Sequence, residues 1–181
     1  MGGDIVQISF GRGWRRVFDS PPRHMEIRRT KFSDIPNLSE LTRRIIATTP
    51  YYSALARKEE IKKHDARALR QMLGEPKYYY CFVGLEDGKI VSFSIGRNEA
   101  GVYWGDWFGV MKNYRRRGFA LAILKYRNQV LKKEKIHKIW SDTRSVNKES
   151  IALLGKMGHR KLGFFRNGWY KQDFFLWEKD L

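Results

Sequence analysis

The chain has 181 residues, of which 42% are hydrophobic and 14% aromatic, a length and composition that suit one folded domain and exclude a disordered tail. The 36 lysines and arginines outnumber the 19 acids and leave a net charge of +17, which predicts affinity for polyanions such as nucleic acid or phosphorylated cofactors. The single cysteine, Cys81, excludes an internal disulfide and a cysteine-based metal cluster, and no apolar run approaches the roughly 20 residues of a membrane span. The lone cysteine fits a reducing, intracellular setting, so we expect a cytoplasmic protein. The four histidines lack the spacing of metal ligands, so we expect no metal site.

The first 24 residues differ from the rest, because several glycines and the pair Pro21-Pro22 interrupt them. A short strand-like run, IVQISF, lies among them. The sequence therefore predicts an N-terminal extension over residues 1–24 and a folded domain over residues 25–181, with Met25 as an alternative start of the protein. The domain begins with the strand-like segment MEIRRTKF.

Two helices and three strands are predicted next. Ser33 is placed to cap a first helix with Pro36 in its first turn, and a second helix is expected from about Ser53 through Leu73. The pair Asp87-Gly88 between two β-rich runs is a strong hairpin signal, and the run GVYWGDWFGV predicts a strand that ends at Val110.

The remaining elements are a broad-faced helix from about Arg117-Gly118, a strand KIWSDT, a short helix capped by Asn147, and a final hairpin around Asn167-Gly168. The order is strand, helix, helix, three strands, helix, strand, helix, two strands. Such an order predicts an α/β fold with a mixed, mostly antiparallel central sheet and helices on both of its faces.

The stretch NYRRRGFALAIL, residues 113–124, carries three arginines to a junction between a strand and a helix. The first N–H groups of a helix lack intrahelical partners, and the helix dipole adds positive charge, so this position suits a phosphate. Gly118 lets a phosphate approach the backbone, Ala120 is nearly as small, and Arg115, Arg116 and Arg117 add charged donors. The spacing favours one small phosphorylated ligand, with a nucleic-acid backbone as the alternative.

The spacing Arg115-x-x-Gly118-x-Ala120 after a strand ending in valine resembles the acetyl-CoA pyrophosphate signature of the GNAT superfamily of N-acetyltransferases. The resemblance extends from about residue 25 to the end of the chain and implies the GNAT fold with acetyl-CoA as cosubstrate. It implies acetyl-CoA contacts at Phe108, Gly109, Val110, Arg115, Arg116, Arg117, Gly118, Phe119, Ala120, Asn147 and Ser150.

The later segment DTRSVNKESIALLGKMG resembles a second GNAT motif, in which Asn147 and Ser150 match positions that contact CoA. The segment departs from the family pattern at two places. Leu154 stands where the family often has a tyrosine that protonates the departing thiolate, and His159 stands where a phenylalanine is usual. A CoA-binding protein without turnover is therefore an alternative. Tyr170 on the final hairpin is a candidate substitute for the missing acid, and a structural aromatic is the simpler interpretation.

Acetyl transfer requires a neutral amine, whereas amines have reference pKa values of about 8 to 10.4, so the resemblance implies a general base. Asp106 lies on the strand that should meet the thioester, and Asp142 ends the next strand, where some relatives carry a catalytic glutamate. Each could instead form a salt bridge or a cap. Because Asp106 lies among aromatic residues, where an unpaired carboxylate is costly, it is favoured over Asp142. The backbone N–H of Gly109 or Val110 is expected to meet the thioester oxygen.

The predicted function is transfer of an acetyl group from acetyl-CoA to a primary amine of a protein, peptide or small molecule, by general-base-assisted attack on the thioester. The alternative is a basic module that binds nucleic acid or the ribosome without turnover, and RNA contact and homodimerisation both stay open. The positive field disfavours polycationic acceptors unless the cleft is locally acidic. Glu59, Glu60 and Asp65 are candidates for such acidity, although a solvated helix face is the favoured interpretation of these three.

Overall fold

One sheet of eight strands organises the molecule, a computed structural model that describes residues 6–7 and 25–181. The strands are β1 Val6–Gln7, β2 Met25–Arg29, β3 Tyr79–Glu86, β4 Lys89–Glu99, β5 Val102–Val110, β6 Lys138–Arg144, β7 Arg160–Phe165 and β8 Phe174–Asp180. Their order in the sheet is β1-β2-β3-β4-β5-β6-β8-β7, and every neighbouring pair is antiparallel except β5 and β6. The predicted mixed, mostly antiparallel sheet is confirmed. The rest of the predicted N-terminal extension lies outside the described residues.

Helices cover both faces of the sheet, as predicted. They are α1 Ile35–Thr48, α2 Ala54–Lys63, α3 Ala66–Gly74, α4 Phe119–Lys133 and α5 Lys148–Lys156. Alternate side chains of β3 point to opposite faces, so Phe82 packs in a core with α4, whereas Val83 packs in a second core with α1 and α3. Because both faces of the central strands are covered, β3 is buried along most of its length.

Two helix boundaries differ from the sequence prediction. The single helix predicted from Ser53 to Leu73 is wrong, because α2 ends at Lys63 and α3 begins at Ala66. The carboxylate of Asp65 accepts a hydrogen bond of 2.8 Å from the N–H of Ala68 and so caps α3.

Ser33 does not cap the first helix either. It lies inside a 3-10 turn, Phe32–Asp34, and Asp34 occupies the cap position of α1. The carboxylate of Asp34 is committed elsewhere, since it accepts from the Lys31 N–H and from the Arg28 guanidinium. The predicted early proline is confirmed, because Pro36 lies in the first turn of α1.

The two predicted hairpins are present, with different connections. Asp87 and Gly88 both have positive φ angles, 50° and 77°, as a two-residue turn of the predicted kind requires. The final hairpin joins β7 to β8 through residues 166–173, which include a 3-10 turn, Trp169–Lys171. This connection is longer than the two-residue turn expected at Asn167-Gly168, and it reaches the cleft described next.

Candidate active site

The centre of the candidate site is the place where two parallel strands separate. The pairing of β5 with β6 runs from Val102–Lys138 to Gly105–Ser141 and stops there, although β5 continues to Val110 and β6 to Arg144. We call the gap beyond Gly105 and Ser141 the fork. It opens into a cleft with a volume of about 1010 Å³ that is lined by α2, α4, α5, both strands and the β7–β8 connection.

A β-bulge marks the base of the fork. Between two register pairs of β4 and β5, β4 contributes only Gly96, whereas β5 contributes Gly105 and Asp106. A bulge bends its strand and redirects side chains, and bulges are frequent next to active sites. Gly96 has no room for a side chain, because a Cβ there would lie 2.3 Å from the hydroxyl oxygen of Tyr103. The bulge therefore brings Asp106 into the cleft lining, where the strands part.

Beyond the bulge, β5 has an edge of unpaired backbone groups. The N–H of Met111 donates to the carbonyl of Val91 over 2.8 Å, which fixes the alternation of hydrogen bonds between β4 and β5. By this alternation the N–H groups of Phe108 and Val110 face the fork, and that of Gly109 faces β4. Of the two predicted donors to a thioester oxygen, Val110 is therefore the one directed at the cleft.

The loop between β5 and α4 has the backbone form of an anion site. Gly118 caps α4 with φ of 90°, and Arg116 also has a positive φ, 59°. Left-handed residues of this kind turn successive N–H groups toward one side, which makes a concave anion-binding surface. Arg115 donates its Nε to the carbonyl of Val110 over 3.3 Å, so its side chain follows the end of β5. Arg115, Arg116, Gly118 and Ala120 all line the cleft.

The side chains of two other predicted contacts lie elsewhere. The guanidinium of Arg117 pairs with Glu86 and lies over the ring of Tyr114. Phe119 is only 1% exposed and packs in the core beneath α4. Neither lines the cleft, so any contact that these two residues make with a ligand there would be through their backbone.

We call the part of the cleft beside the β5–α4 loop the cofactor half. The start of α5 forms its opposite wall. The predicted cap is confirmed, since the side-chain oxygen of Asn147 accepts from the N–H of Ser150 over 3.1 Å. The Asn147 amide also donates to the Ser150 hydroxyl over 2.8 Å, and both residues line the cleft. Leu154 lines the cleft as well and is 4% exposed, so its position offers no proton donor.

Asp106 has a firm ionic partner. Its carboxylate pairs with the guanidinium of Arg97, which also binds Glu99. Burial raises the pKa of Asp106 to about 6, although Arg97 opposes this shift. The alternative that the sequence left open for Asp106, a salt bridge, is what the structure records.

Asp142 is the first residue of β6 beyond the fork, and it lines the cleft. Its carboxylate has no hydrogen bond or ion pair with the part of the chain that the structure describes. Burial raises its pKa to about 6, Arg144 opposes the shift, and the nearby carboxylates of Glu60 and Asp106 add to it. Among the described residues, Asp142 is thus a carboxyl group at the fork without a hydrogen-bond or ionic partner.

Tyr170 and α2 close the side of the cleft away from the β5–α4 loop, which we call the acceptor side or acceptor half. Its hydroxyl donates to Glu60 over 2.6 Å and accepts from Lys63 Nζ over 2.8 Å. Burial and the bond to Glu60 raise the pKa of Tyr170. Glu60 is 9% exposed and lines the cleft, so the interpretation of a solvated helix face is wrong for Glu60. Asp65, by contrast, is the cap of α3.

Sequence patterns did not indicate the aromatic wall of the acceptor side. The indole N–H of Trp107 donates to the hydroxyl of Tyr52 over 3.0 Å, and the Arg144 guanidinium lies 3.8 Å from the centre of the Tyr52 ring. The Arg144 Nε also donates to Gln172 over 2.7 Å. These contacts join the α1–α2 loop to the end of β6 and to the β7–β8 connection. The residues that make these contacts are far apart in the chain, so no local sequence pattern predicts the contacts.

A forked sheet followed by a phosphate-binding loop defines the class of CoA-dependent N-acyltransferases. The model of the "Acetyltransferase (GNAT) family" matches residues 43–159, and the chain belongs to that family. It is an enzyme of the GNAT N-acetyltransferase type, a family that uses acetyl-CoA. No curated protein sequence matches the chain significantly.

Solved structures of similar fold include N-acetyltransferases. The ribosomal-protein-S18-alanine N-acetyltransferase of Escherichia coli is 19% identical with a TM-score of 0.69, over 86% of this chain and 93% of that one. The PaiA N-acetyltransferase of Thermoplasma acidophilum, solved with coenzyme A, is 16% identical with a TM-score of 0.75, over 87% and 99%. The ribosomal-protein-alanine N-acetyltransferase of Brucella melitensis is 18% identical with a TM-score of 0.71, over 86% and 99%. These likenesses confirm the fold.

Two further observations concern the described residues alone. None of their helices is both long and apolar enough to cross a bilayer. No group of three or more histidine, cysteine, aspartate or glutamate side chains among them is arranged to hold a metal ion.

Proposed function

We propose that this enzyme transfers an acetyl group from acetyl-CoA to a primary amine by direct attack of the amine on the thioester, with Asp142 as general base. The observation that carries the proposal is the fork, where an unpaired carboxylate on β6 lies opposite the free backbone edge of β5. The N–H of Val110 on that edge is suited to stabilise the negative charge that develops on a thioester oxygen.

The cofactor half of the cleft fits acetyl-CoA. Gly118 has no side chain at the start of α4, and the surrounding N–H groups and the guanidinium groups of Arg115 and Arg116 suit a pyrophosphate. Asn147 and Ser150 offer an amide and a hydroxyl at the start of α5. When bound, acetyl-CoA supplies an activated acyl group on a thiol that is a fair leaving group, with a reference pKa of about 8.5.

The proton of the attacking amine requires an acceptor. A carboxyl group with a pKa of about 6 is mostly ionised at neutral pH and is more basic than an ordinary aspartate. Asp142 meets this condition and has no competing partner among the described residues. Asp106 has the same elevated pKa, but its carboxylate is occupied by Arg97. The sequence favoured Asp106, and the contacts of the two carboxylates favour Asp142.

Tyr170 fits a positioning role better than that of an acid. Its hydroxyl hydrogen is directed at Glu60, which leaves the Lys63 ammonium as the nearest donor to that oxygen. The thiolate can leave without a dedicated acid because of its moderate pKa. Tyr170 and Glu60 together shape the acceptor side and offer a carboxylate to an incoming ammonium group.

The experiment that tests the proposal is a turnover assay with a panel of amines. Acetyl-CoA is mixed with peptides bearing free α-amines, lysine peptides, polyamines and small amines, and thiol release is followed. We expect thiol release that depends on one class of amine, and a mass gain of one acetyl group in that amine. Release without any acetylated amine, or no release across the panel although acetyl-CoA raises the melting temperature, would contradict the proposal in favour of a protein that only binds CoA.

A second candidate function, contact with single-stranded RNA, is favoured by the surface of β7 and the β7–β8 connection. Phe165 and Trp169 are 46% and 49% exposed and lie on the same face of the sheet, since Phe165 is the register partner of Phe174 and Trp169 contacts the Phe174 ring. Residues 160–172 contain four lysines and arginines and no acid, namely Arg160, Lys161, Arg166 and Lys171. Exposed aromatics interleaved with cations are typical of proteins that bind single strands.

This second candidate is tested by fluorescence anisotropy with a short uridine-rich RNA at increasing salt. A protein with Phe165→Ala and Trp169→Ala should bind several-fold more weakly than the wild type at equal net charge. Equal affinity would show that binding comes from the net charge of +17 alone.

A further inference from the structure

A buried arginine lies at the floor of the cleft. Arg127, on the inner face of α4 one turn beyond Leu124, is 3% exposed and lines the same cleft as the fork. Because α4 runs back along β5 from the phosphate loop, this position is well below the loop and nearer the fork. None of the steps of acetyl transfer described above uses it.

The guanidinium of Arg127 has no acidic partner among the described residues. Its Nε and Nη2 both donate to the side-chain oxygen of Asn128, over 3.0 and 2.8 Å, and the group lies 5.2 Å from the centre of the Tyr103 ring. Arg28 and Arg97, by contrast, each pair with two carboxylates. A buried charge without a counter-ion is strongly destabilising, so an anion that enters the cleft would gain from meeting it.

Two other buried side chains near Arg127, Tyr103 and His159, have polar atoms without hydrogen-bond partners among the described residues. The hydroxyl of Tyr103 and both ring nitrogens of His159 are buried and make no hydrogen bond with described residues. Burial, Arg127 and Lys179 together lower the pKa of His159 to about 4, which indicates a positive field at this place.

Tyr103 lies between these polar groups and the fork. A Cβ at Gly96 would lie 2.3 Å from the Tyr103 hydroxyl, and one at Gly105 would lie 3.6 Å from its ring. The ring therefore lies directly beneath the bulge at the base of the fork, and Arg127 lies against the ring. An acyl chain that extends from the fork toward α4 would therefore pass the Tyr103 ring and approach Arg127.

We propose, resting on the acyl transfer proposed above, that the part of the cleft between the fork and Arg127 takes an acyl group ending in a carboxylate, malonyl or succinyl, with that carboxylate bound by Arg127. The terminal carboxylate does not react. The amine nitrogen forms a bond to the thioester carbonyl carbon, the carbon–sulfur bond breaks, and its electron pair leaves with the sulfur. The amine proton passes to Asp142 and is balanced by protonation of the thiolate from solvent, so that the products are an amide and free CoA.

The test is calorimetric titration of the whole protein with CoA thioesters and no acceptor. Malonyl-CoA is compared with propionyl-CoA and succinyl-CoA with butyryl-CoA, since each pair has equal chain length and differs in the terminal charge. A carboxylate on a buried guanidinium should strengthen binding about tenfold for the anionic member of at least one pair. Acetyl-CoA is titrated in parallel as the reference for the cofactor half.

Two substitutions assign the preference to Arg127. Arg127→Met removes the charge and keeps the bulk, so the ratio of the two dissociation constants in a pair should fall to about one or below. The same substitution at the exposed Arg70 of α3, outside the cleft, should leave that ratio unchanged. If Arg127→Met fails to fold, Arg127→Lys serves instead, because it keeps the charge, loses the planar two-point contact and should lower the ratio only in part.

Equal binding of anionic and neutral thioesters by the wild type would overturn the inference, and so would a preference that survives in Arg127→Met. Either result leaves the proposed acetyl transfer intact, provided that acetyl-CoA binds. Failure of every thioester to bind would instead contradict the proposed function itself.

Discussion

The two halves of the cleft differ in the charges that they leave unpaired. In the acceptor half, Arg97 pairs with Asp106, Lys63 pairs with Glu60 and Arg144 lies over the ring of Tyr52, whereas the carboxylate of Asp142 has no partner among the described residues. In the cofactor half, Arg116 has no ionic partner among the described residues. Each half therefore leaves exposed the charge opposite to that of its proposed ligand, an ammonium on one side and a pyrophosphate on the other. The net charge of +17 by itself would have predicted only the pyrophosphate, because a positive field attracts anions.

The largest expected effect comes from removing the unpaired charge of the acceptor half. Asp142→Asn keeps the shape of the side chain and removes the base, so kcat should fall by about 10² to 10⁴, whereas the dissociation constant of acetyl-CoA should not change. Steady-state kinetics with the best amine of the panel, together with calorimetry, measure the two quantities. Asp87→Asn, in the exposed β3–β4 turn, is the matched control and should behave as the wild type. A variant with normal kcat would assign the proton transfer to another group.

The next effect concerns the cofactor half. Gly118 has φ of 90°, which a valine adopts only with strain, and a side chain there would occupy the space of the pyrophosphate. Gly118→Val should weaken acetyl-CoA binding at least about tenfold and lower stability by about 1 to 3 kcal/mol. Gly88→Val places the same strain in a turn outside the cleft, at φ of 77°, so it should lower stability with no effect on acetyl-CoA binding. Equal acetyl-CoA affinity in both variants would remove Gly118 from the site.

The elevated pKa of Asp142 also predicts how stability depends on pH. Burial raises this pKa to about 6, above the value of about 3.9 in an unfolded chain, so the folded state binds more protons between these two pH values. The free energy of unfolding contributed by Asp142 should therefore be largest at low pH and should decline as the pH rises through about 6. Relative to Asp142→Asn, the wild type should lose roughly 1 to 3 kcal/mol between about pH 4 and pH 7. Denaturant titrations measure this difference, and a value independent of pH would contradict the assigned environment.

The smallest expected effect is at the wall of the acceptor half. Tyr170→Phe removes the hydroxyl bound to Glu60 and Lys63 and should cost about 1 kcal/mol of stability. The KM for the amine should rise several-fold, with kcat largely retained, as expected of a positioning residue. Tyr80→Phe removes a tyrosine hydroxyl from β3, outside the cleft lining, and is the matched control. A large fall in kcat for Tyr170→Phe, with KM unchanged, would instead support the role of an acid.

Local signals in the sequence predicted the helix starts that line the cofactor half, after Gly118 and at Asn147. A glycine with positive φ, a polar cap at Asn147 and small residues after the arginines act over a few neighbouring positions, so their spacing carries the geometry. The hairpin at Asp87-Gly88 was predicted for the same reason. The proposed roles of Phe108, Gly109 and the remaining contact residues stay predictions until a ligand complex is measured.

The acceptor half was harder to predict, because it depends on partners that are distant in the chain. Glu60 and Tyr170 are 110 residues apart, and no periodic pattern relates them. The bulge at Gly105 and Asp106 depends on the register between β4 and β5, which the alternation of apolar residues does not reveal. The end of α2 at Lys63 escaped prediction because the capping side chain of Asp65 outweighs an otherwise continuous helical pattern.

The most direct test of the central claim is the pH dependence of kcat/KM for acetyl transfer, compared between the wild type and Asp142→Asn. The wild-type profile should show an inflection near pH 6, from the carboxyl group at the fork, and the variant should lack it and be slower throughout. An inflection near pH 6 that persists in Asp142→Asn at the wild-type rate would contradict the assignment of Asp142 as the base.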